Sequence, residues 1–267
     1  MTQAPPPGKT VLEALSYQHF ELADLLRRLS AEDWQRPTRC EGWNVSDVLL
    51  HLAQTDEMAI ASLEDRMAGF MAEQVGVGQV GGGPGAATVD DGAALMVERE
   101  RGLPPADLYD RWCAASSRLD EMLPECDPRR RVTWVAGKLS VRTLATTRLA
   151  ECWIHTGDIA GAVRVVLEPD DRLRHIARLA WRTLPYAFAR EGKQLAGPVV
   201  FQLHGPGGSK WEFEPEDSTG EEPVTVVRGD GVELCLVAAR RLDPADTGLS
   251  AEGPDAKDVL ALVRTYA

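Results

Sequence analysis

The sequence lacks the features that define several large protein classes. It has no run of 18 uninterrupted apolar residues, which excludes a membrane-spanning helix. The segment before Lys9 has neither the basic head nor the apolar stretch of a secretory signal, so we expect a cytoplasmic protein. Positive charge is scarce, with 29 Lys and Arg against 41 Asp and Glu and a net charge of −12. Because such a surface repels phosphate backbones and anionic lipids, we expect no nucleic-acid or membrane partner.

Cysteine is also scarce, and its spacing argues against a disulfide framework or a CxxC metal site. The five cysteines are far apart in the chain: Cys40, Cys113, Cys126, Cys152 and Cys235. We expect free thiols in a reducing compartment. The glycine-rich stretch Gly76–Gly85 carries no phosphate-binding fingerprint and is either a connector or a lid.

The 267 residues, 44% of them hydrophobic, suffice for a sizeable core, and their patterning changes along the chain. Apolar residues at helical spacing and capping residues predict helices in the first part of the chain. These helices begin at Thr10, at Asn44 (running toward residue 72), at Asp90, at Ala106, at Ser140 (running to about Val166) and at Asp170 (running to Arg190).

After Gly197 the pattern becomes that of strands. Residues 199–204 and 211–213 alternate around a Pro-Gly-Gly turn, and 224–227 form a third candidate strand. Residues 232–240 are either helix or strand, and a final helix is predicted over 255–266. The sequence thus predicts an α+β protein, with a helical bundle over residues 1–193 and a small α+β domain over 194–267.

Histidine is rare, and two of the five histidines have informative surroundings. Glu151 and His155 are four residues apart, on one face of a predicted helix. His51 interrupts an apolar helical face, where an unpartnered imidazole is costly. If the two helices face each other, His51, Glu151 and His155 form a divalent-metal site with open positions, for zinc first and for iron or nickel as alternatives. The other interpretation is an exposed Glu–His pair and a core histidine bonded to a carbonyl.

Two motifs resemble those of a known family. The segment 40–52, CEGWNVSDVLLHL, and the segment 149–160, LAECWIHTGDIA, resemble the two metal-binding helices of the mycothiol-dependent maleylpyruvate isomerase family. That family belongs to the DinB-like four-helix-bundle group, and the order of a bundle followed by a small domain like a sterol carrier protein is also similar. The resemblance implies that His51, Glu151 and His155 bind a divalent metal, usually zinc, and that mycothiol is a cofactor. It also implies a homodimer.

Two further residues are candidates for the reaction. Asp158 follows His155 by three residues and either orients a metal ligand or is a solvated acid at the helix end. Arg240 matches a reaction-assisting arginine of the family's small domain and would clamp a carboxylate, although Ala239 replaces the usual glycine before it. An exposed arginine that serves solubility is the alternative.

The sequence therefore predicts a metal-dependent isomerase or thiol transferase that acts on a small molecule. In this hypothesis the metal lowers the pKa of a low-molecular-weight thiol, which then attacks the substrate. A thiol-independent metal-dependent hydrolase, isomerase or cyclase is the second interpretation. A non-catalytic module that binds a small molecule is the third.

Overall fold

The computed structural model describes residues 9–75, 89–135, 137–215 and 224–265. These residues divide into two compact units, one of residues 15–167 and one of residues 168–265 with the short segment 9–14. The first unit is helical, and the second contains the larger sheet. The predicted class, a helical N-terminal part and a small C-terminal α+β part, is confirmed. The glycine-rich stretch 76–85 lies outside the described residues.

Four long helices make up the core of the first unit. Helix α2 packs against both α5 and α6, while α1 bonds to α5 through His19 and Asp120 and to α6 through Gln18 and Thr156. Apolar side chains from all four helices share one core, which is the arrangement of a helical bundle. The helices of this unit are α1 (Val11–Leu26), α2 (Val45–Leu63), α3 (Met67–Val75), α4 (Val89–Glu100), α5 (Pro105–Glu125) and α6 (Val141–Val163).

The residues predicted to cap α2 and α6, Asn44 and Ser140, make the expected capping hydrogen bonds. The side chain of Asn44 accepts the backbone N–H of Asp47, and the carboxylate of Asp47 accepts the backbone N–H of Asn44. The hydroxyl of Ser140 accepts the N–H of Thr143 at the start of α6. These bonds satisfy N–H groups that have no partner within their own helix, so α2 and α6 begin at defined residues.

The helix predicted from Asn44 toward residue 72 is in fact two helices. Helix α2 ends at Leu63, and Asp65 adopts a left-handed backbone with φ of 58° before α3 begins at Met67. A left-handed residue breaks the helical hydrogen-bond ladder, and apolar periodicity continues across such a break without revealing it.

A short hairpin precedes α6. Strand β1 (Arg131–Trp134) pairs antiparallel with β2 (Gly137–Ser140), and Val132 lies opposite Leu139. Residues 137–140 show little apolar alternation, so sequence periodicity does not reveal the second strand of this hairpin.

The second unit contains a four-stranded sheet covered by helices. The strand order is β4-β3-β5-β6; β5 is parallel to β3, and the two outer pairs are antiparallel. The segment 232–240, ambiguous in the sequence, is helical as far as Ala238 and is capped by the side chain of Asp230, whereas Arg240 has a left-handed backbone. The elements are α7 (Leu173–Arg182), α8 (Leu184–Arg190), β3 (Val199–His204), β4 (Lys210–Phe213), β5 (Thr225–Asp230), α9 (Gly231–Ala238), β6 (Ser250–Glu252) and α10 (Ala256–Leu262).

Two features of the second unit differ from the sequence prediction. The single helix predicted over 170–190 is divided at Thr183, and Pro185 occupies the first turn of α8, where its missing N–H has no cost. The units separate between residues 167 and 168, upstream of the predicted division at 193. Helix α7 is the physical reason, because it buries Leu173 and Ile176 and packs on α9 and β4.

Within the described ranges, no helix is both long and apolar enough to cross a bilayer.

Candidate metal centre

The first unit brings the three predicted metal ligands together in its interior. His51 projects from α2, and Glu151 and His155 project from one face of α6. All three are buried, with 8%, 8% and 6% of their surface exposed. A buried cluster of two imidazoles and a carboxylate is costly unless the groups satisfy one another or bind an ion.

The donor atoms of these residues face a common point. Nε2 of His51 lies 3.4 Å from Oε2 of Glu151, and Nε2 of His155 lies 3.7 Å from the same oxygen. The two imidazole rings are 5.0 Å apart between centroids and nearly perpendicular, at 79°. One ligand atom from each residue lies within 4.8 Å of those of the other two. Nitrogen and oxygen donors at these separations fit a single ion of the zinc, iron or nickel type.

Asp158 supports the imidazole of His155 from the opposite side. Its Oδ2 lies 3.0 Å from Nδ1 of His155, so the proton on Nδ1 is donated to this carboxylate and Nε2 is the nitrogen that faces Glu151. Asp158 is itself buried, with 3% of its surface exposed. The structure thus places it in an orienting position and not at a solvated helix end; its part in a reaction stays a prediction.

Cys40 lies beside Asp158, on the Nδ1 side of His155. Its thiol donates to Oδ2 of Asp158 at 3.3 Å, and Sγ lies 3.9 Å from Nδ1 of His155. Cys40, His155 and Asp158 therefore form a second group of donors within 4.8 Å of one another, sharing the imidazole of His155. Local spacing does not reveal this contact, because 115 residues separate Cys40 from His155 in the sequence.

Electrostatics prepare two of the ligands for an ion. Burial by itself raises the pKa of Glu151, but the hydrogen bond with His51 and the charge of Arg148 outweigh it and lower that pKa to about 2. Burial lowers the pKa of His51. Burial also disfavours protonated His155, yet its contacts with Asp158 and Cys40 raise its pKa to about 9. Glu151 is thus ionised and His51 neutral near pH 7, and an ion held at this cluster would displace a proton from His155.

Trp43 forms one wall of the cluster. Its ring lies 5.2 Å from the ring of His51, at an interplanar angle of 47°. In the sequence Trp43 lies in the first motif, directly before Asn44, the capping residue of α2. A wall of indole reduces the access of water to the imidazole and strengthens its electrostatic contacts.

Arg240 belongs to the second unit, just beyond α9. It has a left-handed backbone, with φ of 59°, and its Nη1 donates to the carbonyl of Ala261 at 3.2 Å. The side chain is exposed. A role for Arg240 in a reaction stays a prediction.

Comparisons with known proteins agree with this architecture. Residues 15–160 match the family described as "Mycothiol maleylpyruvate isomerase N-terminal domain", and residues 176–257 match the "MDMPI C-terminal domain". The first match contains His51, Glu151 and His155, and the second contains Arg240.

Individual relatives cover nearly the whole chain. Two proteins of Mycobacterium tuberculosis, "Uncharacterized protein Rv0036c" and "Uncharacterized protein MT0041", are each 31% identical over 98% of this chain and 96% of their own length. A crystal structure of a mycothiol-dependent maleylpyruvate isomerase is similar with a TM-score of 0.59. A histidine-to-alanine mutant of such an isomerase gives 0.58. Each of the two structures is 18% identical and is matched over 92% of this chain and 94% of its own, and this likeness concerns the fold.

Proposed function

Because this chain belongs to the mycothiol-dependent maleylpyruvate isomerase family, we propose that it is a metal-dependent enzyme whose ion is held by His51, Glu151 and His155. Zinc is the ion we propose, and iron or nickel would suit the same donors. Mycothiol is the proposed thiol cofactor, and an isomerisation or a thiol transfer on a small molecule is the proposed reaction. The family takes its name from an enzyme of this kind, which supports the assignment.

This proposal rests on one observation. Three donor atoms, from two helices that are far apart in the sequence, lie close together in the interior of the first unit. The donor set is incomplete for a structural site, since two nitrogens and one carboxylate leave at least one position of a tetrahedral ion to an outside ligand. A catalytic ion needs such a position. When bound, the ion would supply Lewis acidity and lower the pKa of a coordinated thiol.

The chain's own residues have separate tasks in this proposal. Asp158 holds the proton on Nδ1 of His155 and so directs Nε2 toward the ion. The carboxyl group of Glu151 remains ionised at neutral pH and so contributes a negative charge. Trp43 shields the His51 side from water. Arg240, carried over from the family resemblance, would hold a carboxylate of the substrate through paired hydrogen bonds.

The test combines metal analysis with turnover. We expect purified, zinc-reconstituted protein to hold one zinc per chain, and His51→Ala to lose it. His204→Ala, which removes an exposed histidine of β3, is the matched control and should retain the ion. Turnover of maleylpyruvate would then be measured with and without mycothiol.

The outcomes separate the competing functions. Activity that requires both zinc and mycothiol supports the proposal. Activity that needs zinc alone points to the thiol-independent hydrolase, isomerase or cyclase. A protein that binds no metal after reconstitution overturns the proposal and leaves a module that binds a small molecule. Sedimentation of the same sample tests the proposed homodimer.

A further inference from the structure

The imidazole of His155 faces donor atoms on both of its sides. Its Nε2 lies 3.7 Å from Oε2 of Glu151. On the other side, Nδ1 lies 3.0 Å from Oδ2 of Asp158 and 3.9 Å from Sγ of Cys40, and Sγ and Oδ2 are 3.3 Å apart. One nitrogen, one oxygen and one sulfur thus form a closed triangle to which Glu151 does not belong. We refer to Cys40, His155 and Asp158 as the thiol cluster.

The edges of this triangle fit a tetrahedral ion. Zn–N, Zn–O and Zn–S bonds of ordinary length place pairs of donor atoms about 3.4 to 3.6 Å apart around a tetrahedral centre. The measured separations of 3.0, 3.3 and 3.9 Å each differ from these values by about 0.4 Å or less. Two hydrogen bonds to Oδ2 occupy the triangle, so an ion that displaces their protons would reach all three atoms after small side-chain shifts.

The three side chains are held in place by the local structure. His155 and Asp158 lie on α6 and are buried, with 6% and 3% of their surface exposed. Cys40 lies in the turn before α2, where its N–H donates to Oγ1 of Thr38 and its carbonyl accepts the N–H of Trp43. Cys40 is also partly exposed. The thiol cluster is therefore preorganised, and an ion can reach it from the Cys40 side.

This arrangement does not suit nucleophilic catalysis by the thiol. In such sites the nucleophile contacts one ring nitrogen of the histidine, and the carboxylate that orients the ring contacts the other. Here the thiol of Cys40 and the carboxylate of Asp158 both face Nδ1 of His155. Donor atoms of three kinds that converge on one point are instead typical of a cation site.

Sulfur distinguishes the thiol cluster from the first set of donors. A thiolate favours soft ions such as copper(I), whereas two imidazoles and a carboxylate suit zinc, iron or nickel. We propose that the thiol cluster is a second cation site, selective for a soft, thiol-binding ion of the copper(I) or cadmium class. The site itself does not depend on the proposed function, because His51 and Glu151 take no part in it.

The two sites share His155, so an ion at one affects the other. Asp158 holds the proton on Nδ1 and directs Nε2 toward the first ion, and an ion bound to Asp158 and Nδ1 removes that support. A soft ion at the thiol cluster therefore weakens zinc binding by His51, Glu151 and His155. This consequence rests on the proposed function, and it would make the activity sensitive to soft metals.

Cadmium is the probe for the second site, because a cadmium–thiolate bond absorbs in the ultraviolet and so reports coordination by sulfur. Cd²⁺ alone is titrated into the whole chain, metal-free in one arm and zinc-reconstituted in the other. We expect one thiolate-bound Cd²⁺ per wild-type chain, and loss of the absorption band in Cys40→Ala. Cys126→Ala removes another partly exposed cysteine and should keep the band. His51→Ala removes a donor of the first set alone and should also keep it.

The zinc-reconstituted arm measures the effect on the first ion. Zinc that is released as Cd²⁺ is added is separated by ultrafiltration and measured by mass spectrometry. We expect release from the wild type at about tenfold lower Cd²⁺ than from Cys40→Ala, in which only direct exchange remains. Circular dichroism establishes that each variant is folded. If Cys40→Ala does not fold, Cys40→Ser replaces it, since serine keeps an O–H donor for Asp158 but has no sulfur.

Several results would overturn the inference. These are a wild-type protein without the cadmium–thiolate band, an unchanged band in folded Cys40→Ala, or loss of the band in His51→Ala, which would make Cys40 a ligand of the first ion. Equal zinc release from wild type and Cys40→Ala would overturn the effect on zinc. Failure of the proposed function is a different result, namely no zinc in the wild-type protein, and it leaves the cadmium band of the metal-free protein in place.

Discussion

Oδ2 of Asp158 accepts from two groups of the site, Nδ1 of His155 at 3.0 Å and the thiol of Cys40 at 3.3 Å. The first contact fixes the imidazole of His155 with Nε2 toward Glu151. The second fixes Asp158 itself. Support of a metal ligand by a carboxylate that is in turn hydrogen-bonded is typical of catalytic metal sites.

Asp158→Ala is expected to lower zinc affinity by about 10- to 100-fold, because His155 loses the acceptor that orients it. Asp158→Asn retains a carbonyl acceptor and should lose less. Competition with a chromophoric chelator measures both affinities. Asp110→Ala, at an exposed position of α5, is the control and should bind zinc as the wild type does. Unchanged affinity in Asp158→Ala would contradict an orienting role.

Cys40→Ala removes one hydrogen bond to Asp158 and should weaken zinc binding by about two- to tenfold. Cys40→Ser restores an O–H donor and should lie close to the wild type. The same chelator competition measures the effect, with Cys126→Ala, at the end of α5, as control. A loss in both Cys40 variants as severe as that of His51→Ala would instead identify Cys40 as a direct ligand.

Arg111 of α5 connects three helices. Its guanidinium donates two hydrogen bonds, of 2.7 and 2.8 Å, to Glu57 of α2, and one of 2.7 Å to Glu100 of α4. We expect Arg111→Lys to lower the free energy of unfolding by about 1 kcal/mol, because a lysine cannot make the paired bonds and the pairs are partly solvated. Urea denaturation measures the loss. Among the described residues, Arg118 pairs with Glu121 alone, along α5, so Arg118→Lys should change the free energy of unfolding little. An equal loss in both variants would argue against the three-helix junction.

Asp56 predicts a pH dependence of stability. Burial raises its pKa from 3.8 to about 6, so the native state holds this proton more tightly than the unfolded state does. Its contribution to the free energy of unfolding therefore falls as the pH rises from about 4 to about 6. An asparagine does not ionise, so Asp56→Asn avoids this fall in the free energy of unfolding. We expect the variant to be more stable than the wild type by about 1 to 3 kcal/mol at pH 7 and by little at pH 4.

Urea unfolding of Asp56→Asn and of the wild type, each at pH 4 and at pH 7, measures the difference in their free energies of unfolding. A variant less stable than wild type at pH 7 would show that the ionised carboxylate is satisfied in the native state.

Local sequence rules were sufficient for the metal donors. Glu151 and His155 share a face because of helical spacing alone, and His51 stands out because an imidazole is unusual on an apolar stripe. The caps at Asn44 and Ser140 were predictable for the same reason, since a cap is a contact within three residues. Family membership, predicted from the two motifs, is confirmed. That these three donors bind an ion stays a prediction until the metal is measured.

Other features were beyond the reach of local rules. The left-handed residue at Asp65 and the division of 170–190 at Thr183 depend on how each segment packs, and apolar periodicity continues through both. The compact units divide after residue 167, whereas the sequence predicts a boundary at 193, because α7 looks like a bundle helix until its packing on α9 and β4 is known.

By itself the sequence determined which side chains share a helix face, where α2 and α6 begin, that Glu151 and His155 lie one turn apart, and that the imidazole of His51 lies on an apolar face. Tertiary structure alone decided that α2 faces α6 and that the thiol of Cys40 contacts Asp158, 118 residues away in the sequence. It also decided that Arg148 is buried, with no hydrogen-bond acceptor for Nε and Nη1 among the described residues. The physical reason is the distance along the chain over which each kind of interaction acts. Helical periodicity and capping act over one or two turns, whereas the burial of a charge and the meeting of donor atoms depend on how whole helices pack.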